Sequence, residues 1–295
     1  MSSTIQRTVS FDSLSLAKVN RSKYYRQDAS GKAVNSARVL EQLEAGSSTV
    51  VCPLGEKNLS IFTEDAKRDK LNLLYTTIPG LTRECWTLLD RTAGTTTELV
   101  VGEPILESEE DLKAVAAAEI KILKVINDIL PEVDAVLLAG SRPKIWSEDL
   151  YATIAGMAHD AGKIFLADFI GDDLKKTLAA TVPEIIKINE EEFRATFPEL
   201  ADKPLQDAIA EKSRELGNII VVTRGPDSTY AADRGNFSEC PAEKVNAINT
   251  IACGDSFNAG FLYEYLNTGD ISAALKKGTW CASRNAELET PGAIR

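Results

Sequence analysis

Asn249-Thr250-Ile251-Ala252-Cys253-Gly254-Asp255-Ser256-Phe257-Asn258-Ala259-Gly260-Phe261 joins a polar loop to a strongly apolar helix. Phe257, Phe261 and Tyr265 recur every four residues, and Leu262 and Leu266 widen the same face, so a buried helix opens near Gly254-Asp255. The first turn of a helix carries backbone N–H groups without intrahelical partners and a partial positive charge, which suits an anion. Gly254 lets the backbone approach a phosphate closely. Asp255 would then stand beside a transferring phosphoryl group, where a carboxylate can orient the attacking hydroxyl as a base. The helix dipole favours an ionised Asp255 and burial opposes it. The competing reading of this Asp is a plain helix cap, which contributes about 1 kcal/mol.

Working outward, the second half of the chain alternates helix and strand. Ser108-Glu109-Glu110-Asp111 starts a helix that runs to about residue 130, and a strand over 135–139 ends in Gly140-Ser141. A helix opens at Ser147 and stops at Gly162. Strands are predicted over 164–169, 184–188 and 218–223, with a helix over 205–216 stopped by Gly217. Such units imply a parallel sheet covered on both faces, with ligands off the carboxyl ends of the strands. The loops after Leu54, Leu138, Ile188 and Val222 are therefore the places to look.

The first half is less regular. Residues 8–27 are strand-like, a turn over 28–32 contains Gly31, and a helix follows over 33–45. A strand is predicted over 49–54, a helix over 58–69 and a strand over 71–78. Two further strands, 85–90 and 96–101, are joined by Arg91-Thr92-Ala93-Gly94, which is hairpin grammar. These β segments stand apart as a small appendage or lid on what is expected to be one α/β domain over 1–295.

Composition removes several function classes. The 295 residues carry a net charge of −11, which argues against a nucleic-acid or anionic-membrane partner. With a single histidine, His159 in a helical run, multi-histidine zinc sites are excluded, and no G-x-S-x-G supports a serine hydrolase. Walker A and G-x-G-x-x-G patterns are absent. Five cysteines without a C-x-x-C point to a reduced compartment. No apolar run reaches ~18 residues and the first residues lack an apolar signal segment, so a cytoplasmic location is expected.

Ala252 to Phe261 resembles G-A-G-D-S-F-x-A-G-F, the signature of the PfkB (ribokinase-like) family of sugar kinases. The likeness extends over nearly the whole chain. Thr4-Ile5-Gln6-Arg7-Thr8 resembles the family's N-P-A-I-D-R-T start, and Asp28 to Arg38 its G-G-K-G-I-N-V-A-R loop and helix. Leu81-Thr82-Arg83 with Trp86 to Asp90 resembles T-R-x-N-x-T-L-x-D, and Leu138 to Pro143 resembles L-S-G-S-L-P. Lys187 to Glu192 resembles K-P-N-E-x-E, and Val221 to Asp227 resembles V-V-T-x-G-x-x-G. The combination looks most like the branch that phosphorylates sugar phosphates, the 1-phosphofructokinase and tagatose-6-phosphate kinase group.

That resemblance implies a three-layer α/β/α sandwich with a mostly parallel central sheet and a small β-sheet lid, about 8–27 and 85–101. It implies an ATP-dependent kinase with Asp255 as base and the N–H groups of Ala252, Cys253 and Gly254 as an anion hole. Asn189 and Glu192 would orient Mg²⁺ and its waters. Lys187, Asn189, Thr223, Gly225 and Asn285 would face the nucleotide. Arg83 and Lys32 would hold the acceptor's own phosphate, with Gln6, Gly31, Asn35 and Ser141 lining the sugar site. A homodimer through the lid is also implied. Taken alone, the same residues read as a helix-start glutamate run, a turn and solvated surface cations.

Departures cluster at the front. The strand that normally precedes N-P-A-x-D is not found, and Gln6 stands where the family has an Asp that binds sugar hydroxyls. Ser30 and Ala33 replace glycines of G-G-K-G, which matters if those positions need positive φ. Ala252 replaces the first Gly of the anion hole, and Ser228 the last Gly of the nucleotide loop. Two other readings follow: a catalytically weak sugar-phosphate-binding or regulatory homologue, and a kinase of an unphosphorylated sugar or nucleoside.

Overall fold

The computed structural model describes residues 2–104, 106 and 108–295. The chain opens with the antiparallel pair β1 (Thr4–Phe11) and β2 (Tyr24–Ser30), then helix α1 (Lys32–Leu43). Strand β3 (Thr49–Gly55), helix α2 (Leu59–Arg68) and strand β4 (Asn72–Ile78) follow, then the hairpin β5 (Glu84–Asp90) and β6 (Thr95–Val101). Because β1 also pairs in parallel with β5, the strands β2-β1-β5-β6 form a four-stranded sheet. The expected 8–27 stretch is thus two strands, the first starting as early as Thr4.

The second half contains α3 (Glu109–Ile129), β7 (Ala135–Ala139), α4 (Leu150–Asp160), β8 (Ile164–Asp168), α5 (Gly171–Ala180), β9 (Ile185–Asn189) and α6 (Glu190–Thr196). Then come α7 (Leu205–Leu216), β10 (Ile219–Thr223), β11 (Thr229–Asp233), β12 (Asn236–Cys240), α8 (Cys253–Thr268) and α9 (Ile271–Ala286). The sheet order is β12-β11-β10-β9-β8-β7, with β7 to β10 parallel and β11-β12 an antiparallel edge hairpin. The helix starting at Ser108 has the expected capping box, with the Asp111 N–H donating to Ser108 Oγ at 3.1 Å and the Ser108 N–H to Asp111 Oδ2 at 3.2 Å. Helix α4 begins at Leu150 rather than Ser147, because both the N–H and the hydroxyl of Ser147 donate to Glu119 on α3.

Strand alternation splits the core into two layers. Phe165, Ala167, Ile186, Ile188, Ile220 and Val222 face α3 to α7, where Tyr151, Ile154 and Phe193 meet them. Leu166, Ile185, Ile219 and Val221 face α8 and α9, where Phe257, Phe261 and Leu275 lie. This is the expected three-layer order. The period of two also fixes the next residues along: Asp168, Lys187 and Thr223 fall on the α8 side, at the carboxyl ends of their strands.

The central sheet is divided. Among the described residues β3 and β4 form a parallel pair of their own, with no ladder joining β3 to β7, although α1 packs on both. His159 is largely exposed on α4, all five cysteines are unpaired, and no described helix is long and apolar enough to cross a membrane.

Candidate active site

Helix α8 begins where the sequence places it. Ala252 is the N-cap residue, in the left-handed conformation at φ 65°, and Cys253, Gly254 and Asp255 form the first turn. Asp255 is therefore no cap: it occupies the third helical position. The Cys253 N–H turns back to the Thr250 carbonyl at 3.3 Å, while those of Gly254 and Asp255 have no carbonyl of their own helix to bond. A Cβ at Gly254 would lie 3.0 Å from Lys187 Nζ, so an ammonium group stands directly against this turn.

Two buried asparagines shape the approach to the helix. Asn249 accepts from the Ile251 N–H at 3.0 Å and donates to the Glu289 carbonyl at 2.9 Å. Asn285 donates to the Ile251 carbonyl at 2.7 Å and to Cys253 Sγ, and accepts from the Gly292 N–H at 2.7 Å. Asn285, which the resemblance places at the nucleotide, is thus bonded to the residues that lead into α8. It is fully buried, and its amide is committed on both sides to the protein.

Asp255 is 6% exposed and accepts a hydrogen bond from Asn35 Nδ2 at 2.8 Å. The amide can point only that way, because its Oδ1 already accepts from Ser30 Oγ at 2.8 Å and Arg38 Nη1 at 3.3 Å. Ser36 Oγ donates to the Asp255 carbonyl at 2.9 Å, a second tie between α1 and α8. Burial pushes the Asp255 carboxyl up to about 6; the Asn35 bond pulls against this, the Asp168 charge adds to it, and Lys32 and Lys187 oppose it.

Helix α1 starts at Lys32 because Gly31, at φ 119°, turns the chain where a Cβ would meet the Ser2 carbonyl at 2.5 Å. The glycine replacements beside it need no positive φ: Ser30 and Ala33 are absent from the positive-φ residues, and the Ser30 hydroxyl donates to Asn35 Oδ1. Lys32 is half-exposed, with its stem against Gly140 and its ammonium 3.4 Å from Asp168 Oδ1. Burial lowers its pKa, yet the charges of Asp168, Asp255 and Glu192 outweigh this and raise it. That coupling puts Glu192 of α6 in the same electrostatic neighbourhood.

Lys187 is 5% exposed, with its ammonium 3.7 Å from Asp168 Oδ2. Asp168, 2% exposed, also accepts from Asn258 Nδ2 at 2.6 Å. Burial alone would push its carboxyl up, but Lys187, Lys32 and the Asn258 bond hold it below the usual carboxylate value. Asp168 and Asn258 are not among the residues singled out from sequence. The available signals were an Asp closing the apolar strand Phe165-Leu166-Ala167 and an Asn inside the fully buried turn of α8.

Asn189 and Glu192 form a capping box at the start of α6, the Glu192 N–H on Asn189 Oδ1 and the Asn189 N–H on Glu192 Oε2, both at 2.8 Å. The box uses one carboxylate oxygen of Glu192. No described cluster of three or more His, Cys, Asp or Glu could hold a metal ion by itself. This donor set fits Mg²⁺ that keeps its waters and arrives with phosphates. Thr223 ends β10 half-buried, and Gly225 follows at φ 59°, in a loop held by Arg224 bonding Glu190 at 3.0 Å.

The residues expected at the sugar come from two places that the sheet joins, since Thr4, which accepts from Arg83, pairs with Ser30, whose hydroxyl donates to Asn35. Lys32, Asn35 and, beside Gly140, the exposed Ser141 belong with Asp255. Gln6 is buried on the four-stranded sheet and donates to Thr87 Oγ1 at 2.6 Å. Arg83 donates to Thr4 Oγ1 at 2.9 Å and pairs with Glu103 at 2.6 Å, in a groove walled by Thr82, Pro143 and Trp146.

Residues 3–293 match the family described as pfkB family carbohydrate kinase. A tagatose-6-phosphate kinase of Staphylococcus epidermidis is 26% identical over 288 residues, covering 96% of this chain and 89% of that one. The solved phosphofructokinase-2 of Escherichia coli in complex with fructose-6-phosphate superposes with a TM-score of 0.81 at 16% identity, over 97% of this chain and 91% of that chain. The solved ribokinase of Thermotoga maritima does so with a TM-score of 0.71 at 18% identity, over 99% and 92%. The fold is ribokinase-like, and the chain belongs to the pfkB family of carbohydrate kinases, a phosphotransferase.

Proposed function

We propose that this protein transfers the terminal phosphoryl group of ATP to an alcohol group of a sugar phosphate, of the fructose 1-phosphate, fructose 6-phosphate or tagatose 6-phosphate class. The observation that carries the reading is the buried Asp255 at the start of α8, oriented by Asn35 and flanked by Lys32 and Lys187. An ionised Asp255 takes the proton of the attacking hydroxyl, and its raised pKa makes it a better base than an exposed carboxylate. The N–H groups of Ala252 and Gly254, with Cys253 contributing less because of its bond to Thr250, face the transferring oxygens. Lys187, Thr223 and Gly225 serve the nucleotide phosphates.

Asn189 and Glu192 orient the waters of Mg²⁺, which supplies charge neutralisation on the phosphates when bound. Arg83 and Lys32 hold the phosphate of the acceptor, with Gly31, Asn35, Gln6 and Ser141 around the sugar. Support for a phosphorylated acceptor comes from the retention of both cations in an acidic chain and from the tagatose-6-phosphate kinase likeness. The four-stranded sheet acts as the lid. Its outer face carries exposed Tyr25, Leu99 and Val101 beside Trp86, and pairs with a second copy of the chain; a monomeric mass at micromolar concentration would remove that pairing. Purified protein, Mg-ATP and a panel of sugars and sugar phosphates test the activity. Turnover is expected with a phosphorylated ketohexose and not with Asp255→Asn; turnover no higher than that variant on every acceptor overturns the reading.

A further inference from the structure

We infer that Asp168 is a positioning residue that sets two lysines beside the first turn of α8, holding each with a different carboxylate oxygen. Its place follows from the sheet. Leu166 and Ile185 face α8, so Asp168 and Lys187, two residues on in neighbouring parallel strands, face it too. Lys32 enters from α1, over Gly140, and the Gly140 N–H donates to the Asp168 carbonyl at 2.9 Å. Asn258, one turn into α8, fixes Oδ2 at 2.6 Å. Three elements, α1, β9 and α8, therefore converge on one carboxylate carried by β8.

The two pairs differ from closed salt bridges. Lys32 lies at 3.4 Å and Lys187 at 3.7 Å, longer than the roughly 2.7–2.9 Å of a charge-assisted hydrogen bond. Asp168 balances two like charges, one of them almost fully buried, without saturating their N–H donors. Those donors remain for an incoming oxyanion at the turn where Lys187 Nζ meets Gly254. A buried ammonium without a counter-charge is costly, so loss of the carboxylate releases both side chains from these positions. This inference rests on the reading that phosphates bind at the start of α8.

Mg-ATP titration calorimetry, which needs no acceptor, tests it on the intact protein with Asp168→Asn, Asp168→Glu, Lys187→Met and the double variant Asp168→Asn/Lys187→Met. Asp168→Asn is expected to weaken Mg-ATP binding about tenfold, with less than about a twofold further effect once Lys187 is Met, because coupled residues are not additive. Asp168→Glu keeps the charge and is expected to recover part of the loss, and it serves where the Asn variant fails to fold. Equal losses from Asp168→Asn in both backgrounds, unchanged binding in that variant, or a Glu variant no better than Asn each overturn the positioning role. If the coupling is found but no acceptor is turned over, the acceptor reading fails and the positioning role stands.

Discussion

Asn35 Nδ2 lies 2.8 Å from Asp255 Oδ2, and Ser30 and Arg38 occupy the other end of the amide so that it cannot turn round. This bond is the main force opposing the burial that lifts the Asp255 carboxyl to about 6. If Asp255 is the base, kcat/KM rises with pH through an acid limb near that value. Asn35→Leu removes the donor that favours the carboxylate and is expected to move the limb upward by about one pH unit, since one hydrogen bond to a charged group is worth that much. The loss of rate is therefore larger at pH 6 than at pH 8. A limb that stays in place, or moves down, contradicts the assignment.

The same pKa makes Asp255 a cost to the fold. Its folded value, about 6, lies above the ordinary 3.8, so the folded protein binds this proton more tightly than the unfolded chain. Stability from this group is fullest below about pH 4 and is lost as pH rises through 6. Above that window the penalty is on the order of 3 kcal/mol at 1.36 kcal/mol per unit. Asp255→Asn is expected to abolish turnover while raising the denaturant midpoint at pH 7.5, with the gain shrinking toward pH 4. An inactive variant that is also less stable at pH 7.5 would show that the carboxylate is not held against its own ionisation.

Ala252 sits at φ 65° and ψ 11°, a conformation that costs an L-residue roughly 1–2 kcal/mol and a glycine almost nothing. Ala252→Gly is expected to stabilise the protein by about 1 kcal/mol or slightly less, after the extra unfolded-chain entropy of glycine is subtracted. Urea denaturation of the two proteins at one pH measures this directly; a destabilised glycine variant means that the methyl group makes contacts worth more than the strain.

The fold was legible because its strongest signals are periodic. The apolar face of Phe257, Phe261 and Tyr265 and the strands ending at Ala139 and Thr223 appear where the pattern put them, and the strand expected over 184–188 runs one residue later, over Ile185–Asn189. What escaped notice is aperiodic or tertiary. Helix α5 buries little beyond Leu174 and Thr177, too sparse a stripe to register; the edge strand β12 is short and polar, and the five-residue β11 beside it buries only the small Ala231 and Ala232 in the core. At the site, the local motifs led to Asp255, Lys187, Lys32 and Asn35, which the fold does gather. Asp168 was missed because its importance lies in two lysines from distant parts of the chain, which one strand cannot reveal. The bonds of Asn285 are hidden from the sequence for the matching reason: its partners, Ile251 and Gly292, are set by how α9 packs.

Gly254→Ala separates close approach from mere flexibility. The glycine is helical, so alanine carries no backbone strain there, but its Cβ would lie 3.0 Å from Lys187 Nζ. The lysine end can shift, and the fold is expected to survive with a midpoint within about 1 kcal/mol of wild type, as for a surface change. The displaced ammonium and the new methyl group both intrude on the oxyanion side of the turn, so kcat is expected to fall about a hundredfold, the usual scale for losing one aligned donor. Full activity in this variant means that no phosphoryl oxygen approaches the Gly254 backbone.

Arg83 is not idle in the absence of an acceptor: Glu103, itself well exposed, pairs with it at 2.6 Å. An acceptor phosphate that uses Arg83 must displace this carboxylate, and a phosphate offers the guanidinium a stronger two-pronged partner than a solvent-facing Glu. Glu103→Gln removes the competitor's charge and is expected to lower KM for a phosphorylated acceptor about twofold to fivefold, the scale of an exposed ion pair, with kcat little changed. Arg83→Ala is expected to raise that same KM by at least about tenfold and to leave KM for ATP unaltered. Steady-state kinetics on both variants decide the matter. If Glu103→Gln and Arg83→Ala leave the acceptor KM alone, the second phosphate lies elsewhere, and Lys32 becomes the cation to test next.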